Sequence, residues 1–451
     1  MKEKRSNFTG SVGFVLAAAG SAVGLGNLWR FPYLVAQHGG GIFILVYLIL
    51  AVTFGFTLLI TEIAIGRKTK SSSILAYQKI HERFGFLGYL AGAVPLIILP
   101  YYCVIGGWVL KYTAVFAMGQ GKEAAGDSYF GSFISGTTTP LIYFFIFLTA
   151  TMIVILCGVQ KGIERVSKFL MPVLLVITLG VCIYEITIPG SGAGIRYYLL
   201  PDFSKFSIKT VCAAMGQLFF SMSIAMGIMV SYGSYVKDDV NIGSAVNQIE
   251  IFDTVVALLA GFMIVPAVYM FSGEEGLATG GAGLMFITLP KVFDSMPMGG
   301  LIGICFFILV LVAALTSAIS VMEATVSMLI DRLKISRVKA AAAIFIISIV
   351  LGIPSSLGNG IWSGILLLGM DFLTFFDFLS NSIIMPLVAL GTCILIGWFA
   401  GTKVIEDEVT KNGEKFSRLE IYRVMIKYIA PVFMVIILLF YTLAQFGIIN
   451  Y

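Results

Sequence analysis

Eleven long, mainly apolar stretches recur along the 451-residue chain, at 12–36, 41–66, 88–117, 138–158, 166–188, 208–235, 243–271, 297–330, 338–354, 361–400 and 424–448. Each has the length of about 20 residues that crosses a bilayer as a helix. In lipid the backbone has no water to bond, so a spanning segment must be helical or part of a closed barrel. Runs this long fit helices, since barrel strands need only about 10 alternating residues. Composition agrees: 59% of residues are hydrophobic and 12% charged, with mean hydropathy +0.98. A soluble chain cannot hide that much apolar surface. The expected fold is an all-α polytopic membrane protein with eleven transmembrane helices. The stretch at 361–400 is long for one crossing and carries Asp371 and Asp377, so its outer part is expected away from lipid.

Basic residues orient the bundle, because cytoplasmic loops carry the excess of lysine and arginine. With the N-terminus inside, only Arg30, Lys111, Lys122, Arg196, Lys205, Lys209 and Lys291, seven of 29, fall outside or within the membrane. The C-terminus is then extracytoplasmic, and the expected location is a plasma or inner membrane. The net charge of +5 reflects this topology and not a nucleic-acid partner. The six cysteines mostly sit in apolar runs without a CxxC pair, and two histidines are too few for a histidine metal site. The first apolar run is too long for a signal peptide. The chain has no GxxxxGK[ST] to drive transport with ATP, and no GxSxG or HExxH of a membrane hydrolase.

Two spans are interrupted. The first reads Gly20-Ser-Ala-Val-Gly-Leu-Gly-Asn27, and the sixth reads Gly216-Gln-Leu-Phe-Phe-Ser-Met-Ser-Ile-Ala-Met-Gly227. Either alone can be close helix packing through small residues. Together they occupy matching positions in two five-helix halves, the sequence pointer to an inverted-repeat transporter with a midplane site. The expected organisation is a first repeat at 1–190, a second at 207–400 and a C-terminal helix at 418–451. Unwound carbonyls suit a monovalent cation, half-helix N-termini suit an anion, and Thr316-Ser317 add hydroxyls at comparable depth. A divalent ion would want several carboxylates.

The stretch Gly13-Phe-Val-Leu-Ala-Ala-Ala-Gly-Ser-Ala-Val-Gly-Leu-Gly-Asn-Leu-Trp-Arg-Phe-Pro32 strongly resembles the neurotransmitter:sodium symporter family. So do Gly39-Gly-Gly41, Lys161-Gly-Ile-Glu-Arg165, Gly216-Gln-Leu-Phe-Phe220, Phe286-Ile-Thr-Leu-Pro290 and Ala314-Leu-Thr-Ser317, and the resemblance runs over about residues 5–440. Eleven helices in place of twelve resemble a bacterial branch that carries tyrosine and other hydrophobic amino acids. The resemblance implies sodium-driven amino-acid symport by alternating access, with two sodium sites and no enzymatic activity. The first sodium site would use the Ala22 carbonyl, the Asn27 side chain, Ser221 and Asp253. The second would use carbonyls of Gly20, Val23 and Ala313 with hydroxyls of Thr316 and Ser317. The substrate carboxylate would meet N–H groups of Ala22 and Gly26 and the Tyr102 hydroxyl. Its ammonium would meet carbonyls of Ser21, Phe220 and Ser221 and the Ser223 hydroxyl. Gly24, Leu25, Ile98, Ile105, Met226, Ser317 and Val321 complete the implied pocket. Arg30 and Asp377 match the outer gate with Phe220 as its lid, and Arg5, Asp331 and Tyr235 match the inner one. Gly162 and Pro172 resemble the family's unwinding element, and Glu62 is placed to brace the broken helices.

The departures are informative. Ser221 replaces a threonine of the family's bacterial leucine transporter, and Asp253 replaces an asparagine. Chloride-dependent members hold their anion near positions matching Tyr47, Gln217 and Ser221, so a fixed carboxylate at Asp253 implies transport that needs no chloride. Protonation of Asp253 on the return step would add proton antiport. Met226 replaces a phenylalanine, and an adaptable thioether among Ile98, Ile105, Phe220 and Val321 favours a large hydrophobic or aromatic L-amino acid. The alternatives are small aliphatic amino acids, or a non-transporting receptor on the same fold.

Overall fold

The computed structural model describes residues 7–278 and 281–445. Among these residues nine helices are long and apolar enough to cross a membrane: α2 (Gly41–Thr69), α3 (Glu82–Ala117), α4 (Thr138–Leu156), α5 (Val159–Thr187), α7 (Ile242–Phe271), α8 (Gly299–Leu333), α9 (Arg337–Leu357), α10 (Phe372–Phe399) and α11 (Leu419–Gln445). The remaining two apolar segments are each in two pieces. We label them α1 (Ser11–Ala22 with Gly26–Gln37) and α6 (Ile208–Ser221 with Ile228–Gly233).

Burial places the elements in the bundle. The most apolar window of α3 is 78% buried, whereas that of α11 is 28% buried, so α3 is central and α11 peripheral. On α5 the exposed positions Phe169, Val176 and Ile183 recur every seventh residue. An apolar stripe facing outward at helical spacing is the lipid face of a membrane helix. Helices approach most closely at glycines. A Cβ on Gly66 of α2 would run into the Val230 carbonyl of α6, and one on Gly233 into the Ile63 carbonyl of α2. A Cβ on Gly107 of α3 would lie 2.7 Å from the Phe144 amide of α4.

Several boundaries differ from the sequence expectation, α3 among them, which starts at Glu82 and not 88. The apolar run from 361 does not begin a helix: turns occupy the chain up to Met370, and α10 starts at Phe372. Gly360, Gly364 and Gly369 favour the turns, while Asp371 caps the helix by accepting from the Thr374 amide at 3.1 Å. Helix α5 starts at Val159 and not 166, and α11 at Leu419 and not 424. Both carry wide π-type turns near their N-terminal end, Val159–Glu164 and Met425–Ile429, and polar residues there hide the helix from an apolar-run reading.

Candidate functional site

The two breaks meet at the centre of the bundle. In α1 the helix stops at Ala22, Val23 turns to an extended ψ of 96°, and the chain resumes bent by 46°. In α6 the gap between Ser221 and Ile228 contains Ser223, Ala225 and Gly227 at φ of 53°, 62° and 67°. Two of these are not glycine, so the surroundings must hold strained backbone in place. Part of that support is Glu62 of α2, fully buried, which accepts from the Ala225 amide at 2.7 Å. Another part joins the two breaks directly: the Ser21 carbonyl accepts from Ser223 Oγ and from Ser317 Oγ, each at 3.1 Å.

Between the breaks lies a cavity of about 20 Å³, room for one water-sized group. Ser21, Ala22, Gly24, Leu25, Gly26, Ile98, Tyr102, Phe220, Ser223, Met226, Ser317 and Val321 line it, bringing together twelve positions from four helices. Tyr102 Oη accepts from the Leu25 amide at 3.4 Å, at the start of the second half of α1. Ile105 stands apart from this group and lines the larger cavity above.

Two oxygen clusters flank the cavity. In the first, Ser221 Oγ is 2.7 and 2.8 Å from the two Asp253 carboxylate oxygens and 3.1 Å from Asn27 Oδ1. Asn27 Nδ2 donates to Asp253 Oδ1 at 2.8 Å, and the Tyr47 hydroxyl donates to Oδ2 at 3.3 Å. Gln217 Nε2 donates to the Gly26 carbonyl at 2.8 Å, tying α6 to the unwound turn. All of these side chains are fully buried. In the second cluster, Ser317 Oγ lies 3.4 Å from the carbonyls of both Gly20 and Val23. Thr316 Oγ1 bonds the Ala313 carbonyl at 3.1 Å. Every candidate donor in both clusters is a hard oxygen, and only Asp253 is anionic, a set suited to an alkali cation. Among the described residues, no three or more His, Cys, Asp and Glu side chains are grouped to hold a metal.

Across Phe220 lies a vestibule of about 490 Å³, whose walls include Arg30, Tyr101, Asp377 and Asn381. Arg30 stacks 5.7 Å from the Phe220 ring, and Asp377 accepts from Tyr101 at 3.1 Å and Asn381 at 2.6 Å. On the side away from the vestibule the bundle is filled. Phe8 packs within about 6 Å of Phe14, Tyr232 and Tyr235. Asp331 accepts from the Ser72 amide and hydroxyl at 2.7 and 2.6 Å. Tyr235 donates to Glu323 at 2.7 Å. Arg5 lies outside the described residues.

Two further carboxylates take part, Glu323 outside any quoted motif and Glu164 within Lys161-Gly-Ile-Glu-Arg165. Glu323 accepts from both Tyr235 and Arg337, which also donates to the Ile155 carbonyl. Glu164 holds the N-terminal segment, accepting from the Thr9 amide at 3.0 Å and from Lys168 at 2.6 Å. For Glu323 the one available signal was chemical: a carboxylate inside an apolar span is costly and asks for a partner.

A polytopic bundle with two helices broken at one central cavity, with a larger vestibule beside it across Phe220, has the form of a membrane transporter. The model of the sodium:neurotransmitter symporter family matches residues 5–120 and 134–451, and the chain belongs to that family of secondary transporters, which are not enzymes. An uncharacterized sodium-dependent transporter of Bacillus subtilis, YhdH, is 33% identical over 97% of this chain and 98% of its own length. The rat sodium- and chloride-dependent GABA transporter 2 is 27% identical over 90% of this chain and 75% of its own. The crystal structure of MhsT in complex with L-phenylalanine superposes with a TM-score of 0.88 at 35% identity, covering 97% of this chain and 99% of that one.

Proposed function

We propose that the chain imports hydrophobic L-amino acids, large or aromatic ones by preference, coupled to sodium and by alternating access. The observation that carries this reading is the convergence of both broken helices on one cavity flanked by two buried oxygen clusters. In this reading Ala22, Asn27, Ser221 and Asp253 hold one sodium ion. Gly20, Val23, Ala313, Thr316 and Ser317 hold the other. The N–H groups that begin the second half of α1 receive the substrate carboxylate, and the carbonyls at the breaks receive its ammonium. Counting each broken helix as one crossing gives eleven spans in two five-helix repeats plus α11. The basic loops favour a cytoplasmic N-terminus in a plasma or inner membrane.

Transport is read as independent of chloride. The Tyr47 and Ser221 hydroxyls, matched to the anion positions of chloride-dependent members, are turned onto Asp253. A fixed negative charge there offsets the cations without a mobile anion. The complex of the similar MhsT with L-phenylalanine supports a large substrate. The 20 Å³ cavity has to enlarge for any amino acid, and the second reading, a small aliphatic substrate, asks the smaller movement of Met226 and Phe220.

Binding of a tritiated amino-acid panel to the purified protein, in sodium, potassium or choline salts with and without chloride, tests these points. Sodium-specific, chloride-indifferent binding of phenylalanine, tyrosine, tryptophan or leucine is expected. Binding confined to glycine or alanine would establish the small-substrate reading, and binding without sodium would overturn the coupling.

A further inference from the structure

Arg418, just before α11, is held on every side. Its Nη1 and Nη2 bond the two carboxylate oxygens of Glu250 at 3.1 and 2.7 Å, and Nη2 also donates to Asn247 Oδ1. Nη1 reaches the Val52 carbonyl of α2 at 2.8 Å, and the guanidinium lies 3.6 Å from the centre of the Phe56 ring. Glu250 is buried, with 5% of its side chain exposed, against 21% for Arg418. Pure packing does not call for such a pair, because apolar residues of similar volume usually serve as well or better. Charges inside a membrane protein instead tend to mark function.

The position of Glu250 suggests what the pair does. It stands three residues before Asp253 on α7, one helical turn away and on the same face. Two carboxylates therefore lie one turn apart next to the first oxygen cluster, and Arg418 is bonded to only one of them. We propose that Glu250 and Arg418 form a positioning pair for the cation site. Arg418 cancels the charge of Glu250, so the cation bound at Asp253 meets one uncompensated carboxylate and not two. The connector leading to α11 thereby sets the sodium affinity of a site it does not touch. This rests on the sodium-coupled reading above.

Titrating the thermal unfolding of the detergent-purified protein with sodium chloride against choline chloride reads sodium binding without choosing an amino acid. Removing Glu250's charge in E250Q leaves Arg418 unbalanced and is expected to raise the half-saturating sodium concentration about threefold or more. R418Q uncovers Glu250 and is expected to lower it by a similar factor. The double variant E250Q/R418Q should return to within about twofold of the parent, and R418K, which keeps the charge but loses the fork, should match the parent's sodium response. The unfolding midpoint in choline shows whether each variant is folded. E250Q and R418Q shifting in the same direction, or R418K behaving as R418Q, would make the pair a structural clamp and overturn the proposal while leaving symport intact. A parent protein indifferent to sodium would overturn the symport reading and the proposal with it.

Discussion

Asp253 concentrates the electrostatics of the site in one side chain. It is fully buried and accepts hydrogen bonds from Asn27 and Tyr47, with the Ser221 hydroxyl against both of its oxygens. A carboxylate so enclosed is tolerable only if its charge is used, because an uncompensated buried ion costs several kcal/mol. Asp253→Asn keeps the shape and removes the charge. Sodium-dependent binding of the preferred amino acid should weaken about tenfold or more, the size of one lost charge-assisted contact. Chloride should then restore part of it, because the hydroxyls of Tyr47 and Ser221 become free to donate to an anion. Radioligand binding at fixed sodium, with chloride exchanged for gluconate, checks both statements.

At the level of elements, the breaks do what unbroken helices cannot, and they are held open by specific contacts. Gly227 ends the gap in α6 at φ of 67°, and a Cβ there would lie 2.6 Å from Ser73 Oγ and 3.2 Å from the Ala91 carbonyl. Gly227→Ala therefore meets both backbone strain and a collision, and should destabilise the protein by about 2 kcal/mol or more, visible as a lowered unfolding midpoint. These breaks were legible in the sequence because glycine, serine and asparagine interrupt runs that are otherwise apolar. The start of α10 was not: Ile361, Ile365, Leu366 and Leu368 read as a span but occupy exposed turns. Nor was the pairing of Thr9 with Glu164 or of Arg418 with Glu250. Their partners stand 155 and 168 residues apart, and only the folded bundle brings them together. Periodicity reports which face of a helix is apolar and says nothing about which polar groups meet across helices.

On the scale of the molecule, the two ends are closed by different means. One end narrows over Phe220 beneath the vestibule, whereas the opposite end is filled by the Phe8 cluster and clamped by loop charges. Asp238 is bridged to Lys70 at 2.8 Å and Lys411 at 3.3 Å, and the hydrogen bond from Lys70 holds its carboxyl below the usual range. Arg423 does the same for Glu406. A carboxyl whose pKa is lower when folded contributes stability above its ordinary value, and that contribution is lost as pH falls through the folded one. The loops carrying Asp238 and Glu406 should therefore loosen below about pH 4, with faster acid-protease cleavage there than at pH 5. The glycine contacts between α2 and the lower half of α6 bear on how such a molecule moves. Where Gly66 meets the Val230 carbonyl and Gly233 meets the Ile63 carbonyl, no side chain stands between the two backbones to serve as a bearing. The two helices are in effect a single strut, and bending is left to the joints at 23–25 and 222–227, which also line the central cavity.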